Sequence, residues 1–179
     1  MRIVIIVGIW TFHNLYGPIF KHYKAAFANE FPHAQLSVEY LWYSPWQGQK
    51  MRNFADHILR KYDTGEEILL VGYSIGGSIA CAIAPRFKHS AVRAVVTVFA
   101  PHTFLWGIFS RMLNVDLRRI PVAPVFSFEG RLDWAVLWGA KHPRARKHAK
   151  LWCDHLFGLL FSQKPAEKIA KITRETLTT

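Results

Sequence analysis

The run RIVIIVG at residues 2–8 is apolar at consecutive rather than alternate positions. A strand with one wet face alternates. A strand without a polar face must be covered on both sides, which is the condition inside a parallel sheet. EEILLVG at 66–72 and AVRAVVTVFA at 91–100 repeat the pattern, and PVAPVFSFEG at 121–130 reads as a strand with proline near its start. QLSVEYL at 35–41 alternates as a strand, and 146–152 is a weaker strand candidate. Helical spacing separates these runs. Gly17 and Pro18 open a helix over 19–29, with Phe20, Tyr23, Ala26 and Phe27 on one face and Pro32 beyond its end. A second helix over 49–62 carries Met51, Phe54, Ile58 and Leu59. GGSIACAIAPRF at 76–87 and the segment 156–174 supply two more. Strands that alternate with helices imply an α/β fold, a three-layer sandwich of about six parallel strands joined by right-handed crossovers. No linker, repeat or low-complexity stretch divides the chain, so residues 1–179 read as a single domain.

Composition narrows the class. The chain has 179 residues, 51% hydrophobic and 20% charged, which excludes intrinsic disorder and allows a core without disulfides. No apolar run reaches the ~20 residues that span a bilayer. The N-terminal MRIVIIVGIW lacks a small-residue cleavage site and reads as a core strand rather than a signal peptide, so a cytoplasmic location is expected. Cys81 and Cys153 are too few for a disulfide scaffold or for most zinc sites. Cys81 reads as a small core residue. The net charge of +11 leaves nucleic acid, an anionic membrane surface or an anionic substrate open as partners, beside a merely solvated basic face.

One motif carries chemistry. Residues 72–77, Gly72-Tyr73-Ser74-Ile75-Gly76-Gly77, contain G-x-S-x-G, a pattern that composition alone would yield ~0.03 times in such a chain. It directly follows the strand EEILLV and directly precedes a small-residue helix, the strand–turn–helix setting in which the motif is meaningful. A serine at so sharp a turn is held in a strained conformation, and side chains two positions to either side would clash. Gly72 and Gly76 remove that clash. The turn puts Ser74 at the carboxyl end of the sheet, where open α/β sheets bind ligands, and at a helix N-terminus, where free N–H groups stabilise a developing oxyanion.

A serine hydroxyl needs a base, and the base needs an orienting acid. In a strand–turn–helix serine site the expected chain order is Ser, acid, His. Asp133 lies just past the strand PVAPVFSF, again at a carboxyl end, with Glu129 as the alternative acid closer to the strand. His142, His148 and His155 follow Asp133. The first two fall in the basic run KHPRARKHAK, which reads as exposed. His155 follows the last strand candidate and is the expected base. Asp154 is a poor orienter for it, because adjacent side chains diverge.

VGYSIGG at 71–77, GRLDWAV at 130–136 and DHLFGLLFS at 154–162 together resemble the nucleophile, acid and histidine segments of the α/β-hydrolases. The resemblance spans nearly the whole chain. It implies Ser74 as nucleophile, Asp133 as orienter and His155 as base. It also implies oxyanion donors from the backbone N–H of Ile75 and of a residue after the first strand, Ile9. Members include esterases, lipases, thioesterases and amidases, so the resemblance implies mechanism more than substrate. Two features depart from the pattern. The usual His-Gly after the first strand is Val7-Gly8 here, and Met1 leads straight into that strand. A minimal fold without a large cap domain is therefore expected, with at most a short apolar flap over 101–119.

The expected substrate is a small-molecule acyl ester or thioester, and the mechanism calls for no metal or cofactor. Trp10, Phe104, Trp106 and Trp134 are candidates for an apolar substrate pocket, although aromatic residues at such spacings commonly serve the core. The basic run 141–150 suits an anionic carrier or plain solvation. Two other classes remain: a catalytically inactive scaffold with the same fold, and a nucleic-acid binder, for which no helix-turn-helix, zinc or RNA-binding motif is found.

Overall fold

The computed structural model describes residues 1–10, 17–43, 48–102, 123–133, 141–154 and 162–179. Six strands are described: β1 (Arg2–Trp10), β2 (Gln35–Tyr43), β3 (Ile68–Ser74), β4 (Val92–Val98), β5 (Val125–Gly130) and β6 (Ala145–Leu151). Every neighbouring pair is parallel, in the order β2-β1-β3-β4-β5-β6. Among the described residues, four α-helices flank the sheet: α1 (Gly17–Glu30), α2 (Gly48–Tyr62), α3 (Ile75–Ile83) and α4 (Lys164–Thr178). A 3-10 turn, Ala84–Arg86, with Pro85 in its first turn, follows α3.

The consecutive apolar runs are covered on both faces, as parallel strands require. Ile3, Ile5 and Val7 of β1 join Phe20, Tyr23 and Phe27 of α1 and Ile169 and Ala170 of α4 in one cluster. Val4 and Ile6 join Met51, Ala55 and Ile58 of α2 and Ile75 and Ile79 of α3 in the other. No residue from Ile3 to Val7 is more than 1% exposed. Each such side chain contributes about 1.5–3 kcal/mol of burial free energy, so β1 anchors both layers.

Several boundaries differ from the sequence reading. β1 continues past Gly8, because Ile9 and Trp10 stay in register with Trp42 and Tyr43 of β2. β5 starts only at Val125. The last helix, expected over 156–174, is described from Lys164 to Thr178, with Pro165 in its first turn. The expected flap over 101–119 falls almost entirely outside the described residues. Among those described, no helix is long and apolar enough to cross a membrane.

The chain reverses direction across the sheet once. From β1 it passes by α1 to the edge strand β2, then returns over β1 to β3 and proceeds toward β6. α1 and α3 therefore leave the carboxyl ends of adjacent strands on opposite faces, and a crevice opens where they part.

Candidate active site

Ser74 stands at that crevice. It is the last residue of β3, and α3 begins at Ile75 with no turn between. Its backbone has φ 52° and ψ −129°, a conformation that costs a non-glycine residue about 1–3 kcal/mol. The surrounding packing enforces it. A Cβ on Gly72 would collide with Gly76 O, and a Cβ on Gly76 would collide with Ile6 O of β1. The two glycines thus let α3 start hard against β1 and β3. Ser74 is partly exposed, whereas Ile75 is fully buried. As the first residue of α3, Ile75 supplies one of the N–H groups that a helix leaves without an intrahelical partner.

Gly8 of β1 lies in register with Ser74, and Ile9 is one residue further along the same strand. The backbone of Ile9 therefore borders the carboxyl-end crevice from the β1 side. Trp10 continues the same strand.

The floor beneath Ser74 is aromatic. Tyr73 packs edge-on against Phe20 and Phe99, with ring centroids 5.8 and 6.1 Å apart. Phe99, just past β4, is the second non-glycine residue with positive φ among those described, at 50°. For an aromatic residue this is an outlier. It is held by a 2.8 Å hydrogen bond from Phe99 N–H to Phe128 O and by complete burial. Its strain was invisible in the sequence, because no glycine or asparagine marks the turn.

Asp133 follows β5 by three residues and is only 8% exposed. Its turn is stitched to the chain leaving β6. Arg131 N–H donates to Leu151 O at 2.8 Å, Leu132 N–H to Cys153 O at 3.2 Å, and Asp133 N–H to Gly130 O at 3.4 Å. A Cβ on Gly130 would press on Cys153 O, so the two segments meet in direct backbone contact. The chain at Cys153 thus lies immediately beside the Asp133 turn. β4 alone separates β3 from β5, so the strand that ends at Ser74 and the strand that leads to Asp133 are two strand spacings apart, about 10 Å.

The alternative residues are engaged elsewhere. Glu129 is ion-paired with Lys150 at 2.6 Å and lies 3.4 Å from His148 Nε2. His142, read from the sequence as part of an exposed basic run, is fully buried. Its N–H donates to Ser127 Oγ at 3.0 Å, its Nδ1 accepts from Arg144 N–H at 3.2 Å, and its ring meets the His102 ring edge-on at 4.9 Å. The chain before β6 folds inward over Ser127, so His142 is buried while the cations of KHPRARKHAK reach water. Burial, with His142 alongside, pushes the pKa of His102 down to about 3. His102 was not singled out from the sequence, where nothing distinguishes it from a surface histidine. Cys81 is buried, as expected of a core residue, and burial pushes its thiol up to about 12.

His155, Phe104, Trp106 and Trp134 lie outside the described residues, as do the side chains of Ile9 and Trp10. Among the described residues no group of three or more His, Cys, Asp or Glu side chains is placed to hold a metal ion.

No family model and no curated protein matches the chain. Solved structures do. Est1E from Butyrivibrio proteoclasticus matches with a TM-score of 0.63 at 14% identity, over 99% of this chain and 89% of that one. An esterase from Pyrococcus furiosus matches with a TM-score of 0.62 at 14% identity, over 99% and 81%. At this identity the likeness is one of architecture. The six parallel strands, their order and the serine at the β3–α3 junction define a protein of the α/β-hydrolase fold.

Proposed function

We propose that the protein is a serine hydrolase that cleaves an acyl ester or thioester through an acyl-enzyme on Ser74. The observation that carries this reading is the strained Ser74 backbone at the head of α3, abreast of Gly8 and Ile9 at the topological reversal of the sheet. Strain of this kind has no use in a plain strand–helix turn. The hydrogen bonds that tie the Asp133 turn to Leu151 and Cys153 add support, because they bring the acid beside the segment leading to His155.

His155 accepts the Ser74 hydroxyl proton as Oγ attacks the acyl carbonyl. The N–H groups of Ile75 and Ile9 hold the oxyanion, and Asp133 orients the imidazole and stabilises its charged form. His155 then protonates the departing alcohol or thiol. A water molecule, deprotonated by the same histidine, releases the acid and restores Ser74. No step calls on a metal or cofactor. Trp10, Phe104, Trp106 and Trp134 are proposed to line an apolar acyl pocket at the same rim.

The test is labelling by a fluorophosphonate. Wild type should become covalently labelled and Ser74→Ala should not. A series of ester chain lengths on wild type then reads the acyl pocket. Equal labelling of both proteins, or none of a folded wild type, overturns the proposal.

A further inference from the structure

Leu132 and Trp152 are the most exposed large hydrophobic residues among those described, at 61% and 75%. They are neighbours. Leu132 N–H bonds Cys153 O, one residue beyond Trp152, and the Arg131 guanidinium lies over the Trp152 ring at 4.4 Å from its centroid. The three form a rim at the carboxyl end of β5 and β6, the same end of the sheet as Ser74.

The charge of the chain between the two halves of this rim is one-sided. Between Gly130 and Trp152 the sequence holds Arg131, Lys141, Arg144, Arg146, Lys147 and Lys150 against a single acid, Asp133. Among the described residues only Lys150 of these cations has a carboxylate partner, Glu129 from β5. Arg146 and Lys147 are exposed in the first half of β6, the end away from Trp152, on an edge strand whose described pairing is with β5 alone. Cations on an open edge discourage a further protein strand from adding there.

We propose that this rim, continued by the cationic edge of β6, docks the protein on an anionic phospholipid surface. Two features favour lipid over another polyanion, and a third favours any anionic surface. An exposed tryptophan with a cation over its ring is amphipathic and settles at the boundary between headgroups and acyl chains. Leu132 gains only where an apolar phase receives it, which neither a phosphate backbone nor an acidic protein surface offers. The net charge of +11 makes approach to an anionic leaflet favourable over the whole molecule. Docking stands independently of the hydrolase reading. If that reading holds, the rim would bring lipid-borne acyl groups to the sheet end that carries Ser74.

The experiment is co-sedimentation of the full chain with vesicles of phosphatidylcholine alone and of phosphatidylcholine containing phosphatidylglycerol. Wild type is expected to bind the anionic vesicles, to leave neutral ones in solution, and to be released by salt. Arg146→Gln with Lys147→Gln should weaken binding about thirtyfold, since each surface cation multiplies partitioning about fivefold. Trp152→Ala with Leu132→Ala should weaken it about tenfold or more through lost apolar insertion. All four positions are exposed, and unchanged near-ultraviolet circular dichroism checks that the variants fold. Ser74→Ala should bind as wild type does, which separates this result from the fluorophosphonate test. Equal binding to neutral vesicles, no binding to anionic ones, or insensitivity to the Trp152 and Leu132 substitutions overturns the proposal. So does equally tight capture by polyglutamate or DNA.

Discussion

Gly8 and Ser74 stand side by side at the carboxyl ends of β1 and β3. A Cβ on Gly8 would collide with Ile75 Cγ2 and come within 2.8 Å of Gly76 N. Gly8 is therefore fixed by the close approach of β1 to the start of α3. Gly8→Ala should displace the start of α3 and with it the Ile75 N–H. Ester hydrolysis should fall by about tenfold or more while the fold survives with a loss of about 1–3 kcal/mol. Steady-state kinetics beside urea unfolding measures both. Full activity would remove Ile75 from the oxyanion site.

The two glycine environments at opposite ends of the α1–α3 region make a contrast in stability. Gly76→Ala drives a Cβ into the backbone of β1, at Ile6 O. It should cost about 2–3 kcal/mol or prevent folding. Gly17 opens α1 with nothing within 4 Å of an added Cβ, so Gly17→Ala should change stability by about 0.5 kcal/mol or less. Thermal or urea unfolding compares the two.

Strain at Ser74 separates stability from activity. Ser74→Gly relieves φ 52°, and Ser74→Ala does not. Both should abolish hydrolysis, yet the glycine variant should be about 1–2 kcal/mol more stable than the alanine one. Among catalytic variants, Ser74→Ala and His155→Ala should each lose several orders of magnitude in kcat, and the double variant little more, because the residues act as one unit. Additive losses would argue against a triad.

The acid is tested by a pair of isosteric changes. Asp133→Asn should reduce kcat/KM by orders of magnitude. Glu129→Gln loosens its contacts with Lys150 and His148 and should leave activity within about threefold, because the side chain is already taken up by these two neighbours on β6. The reverse ranking would make Glu129 the orienter.

His102 sets an acid limit on stability. Its pKa is about 3 in the folded protein, against ~6.5 in an unfolded chain. The unfolded state therefore takes up the proton first as pH falls. The contribution is complete above about pH 6.5, is lost progressively toward pH 3, and is on the order of several kcal/mol. Urea midpoints of wild type should fall between pH 7 and pH 4, and those of His102→Gln should fall less. Parallel curves would place the acid sensitivity elsewhere.

What the sequence alone determined is local. The consecutive apolar runs at Ile3–Val7 and Ile68–Val71 declare strands covered on both faces. The spacing of Phe20, Tyr23 and Phe27 declares a helix, and Gly72-Tyr73-Ser74-Ile75-Gly76 declares a sharp turn. Each signal lies within a few residues, so periodicity and backbone sterics suffice to read it. What only the tertiary structure decided depends on partners far along the chain. Gly8 comes abreast of Ser74 because β3 pairs with β1 rather than with β2. Cys153 O receives the N–H of Leu132 because β6 lies against β5. His142 is buried because Ser127, fifteen residues earlier in sequence, accepts its N–H beneath the fold of the chain. Pairing and burial arise from contacts between elements, and such contacts leave no periodic trace in either of the segments that make them.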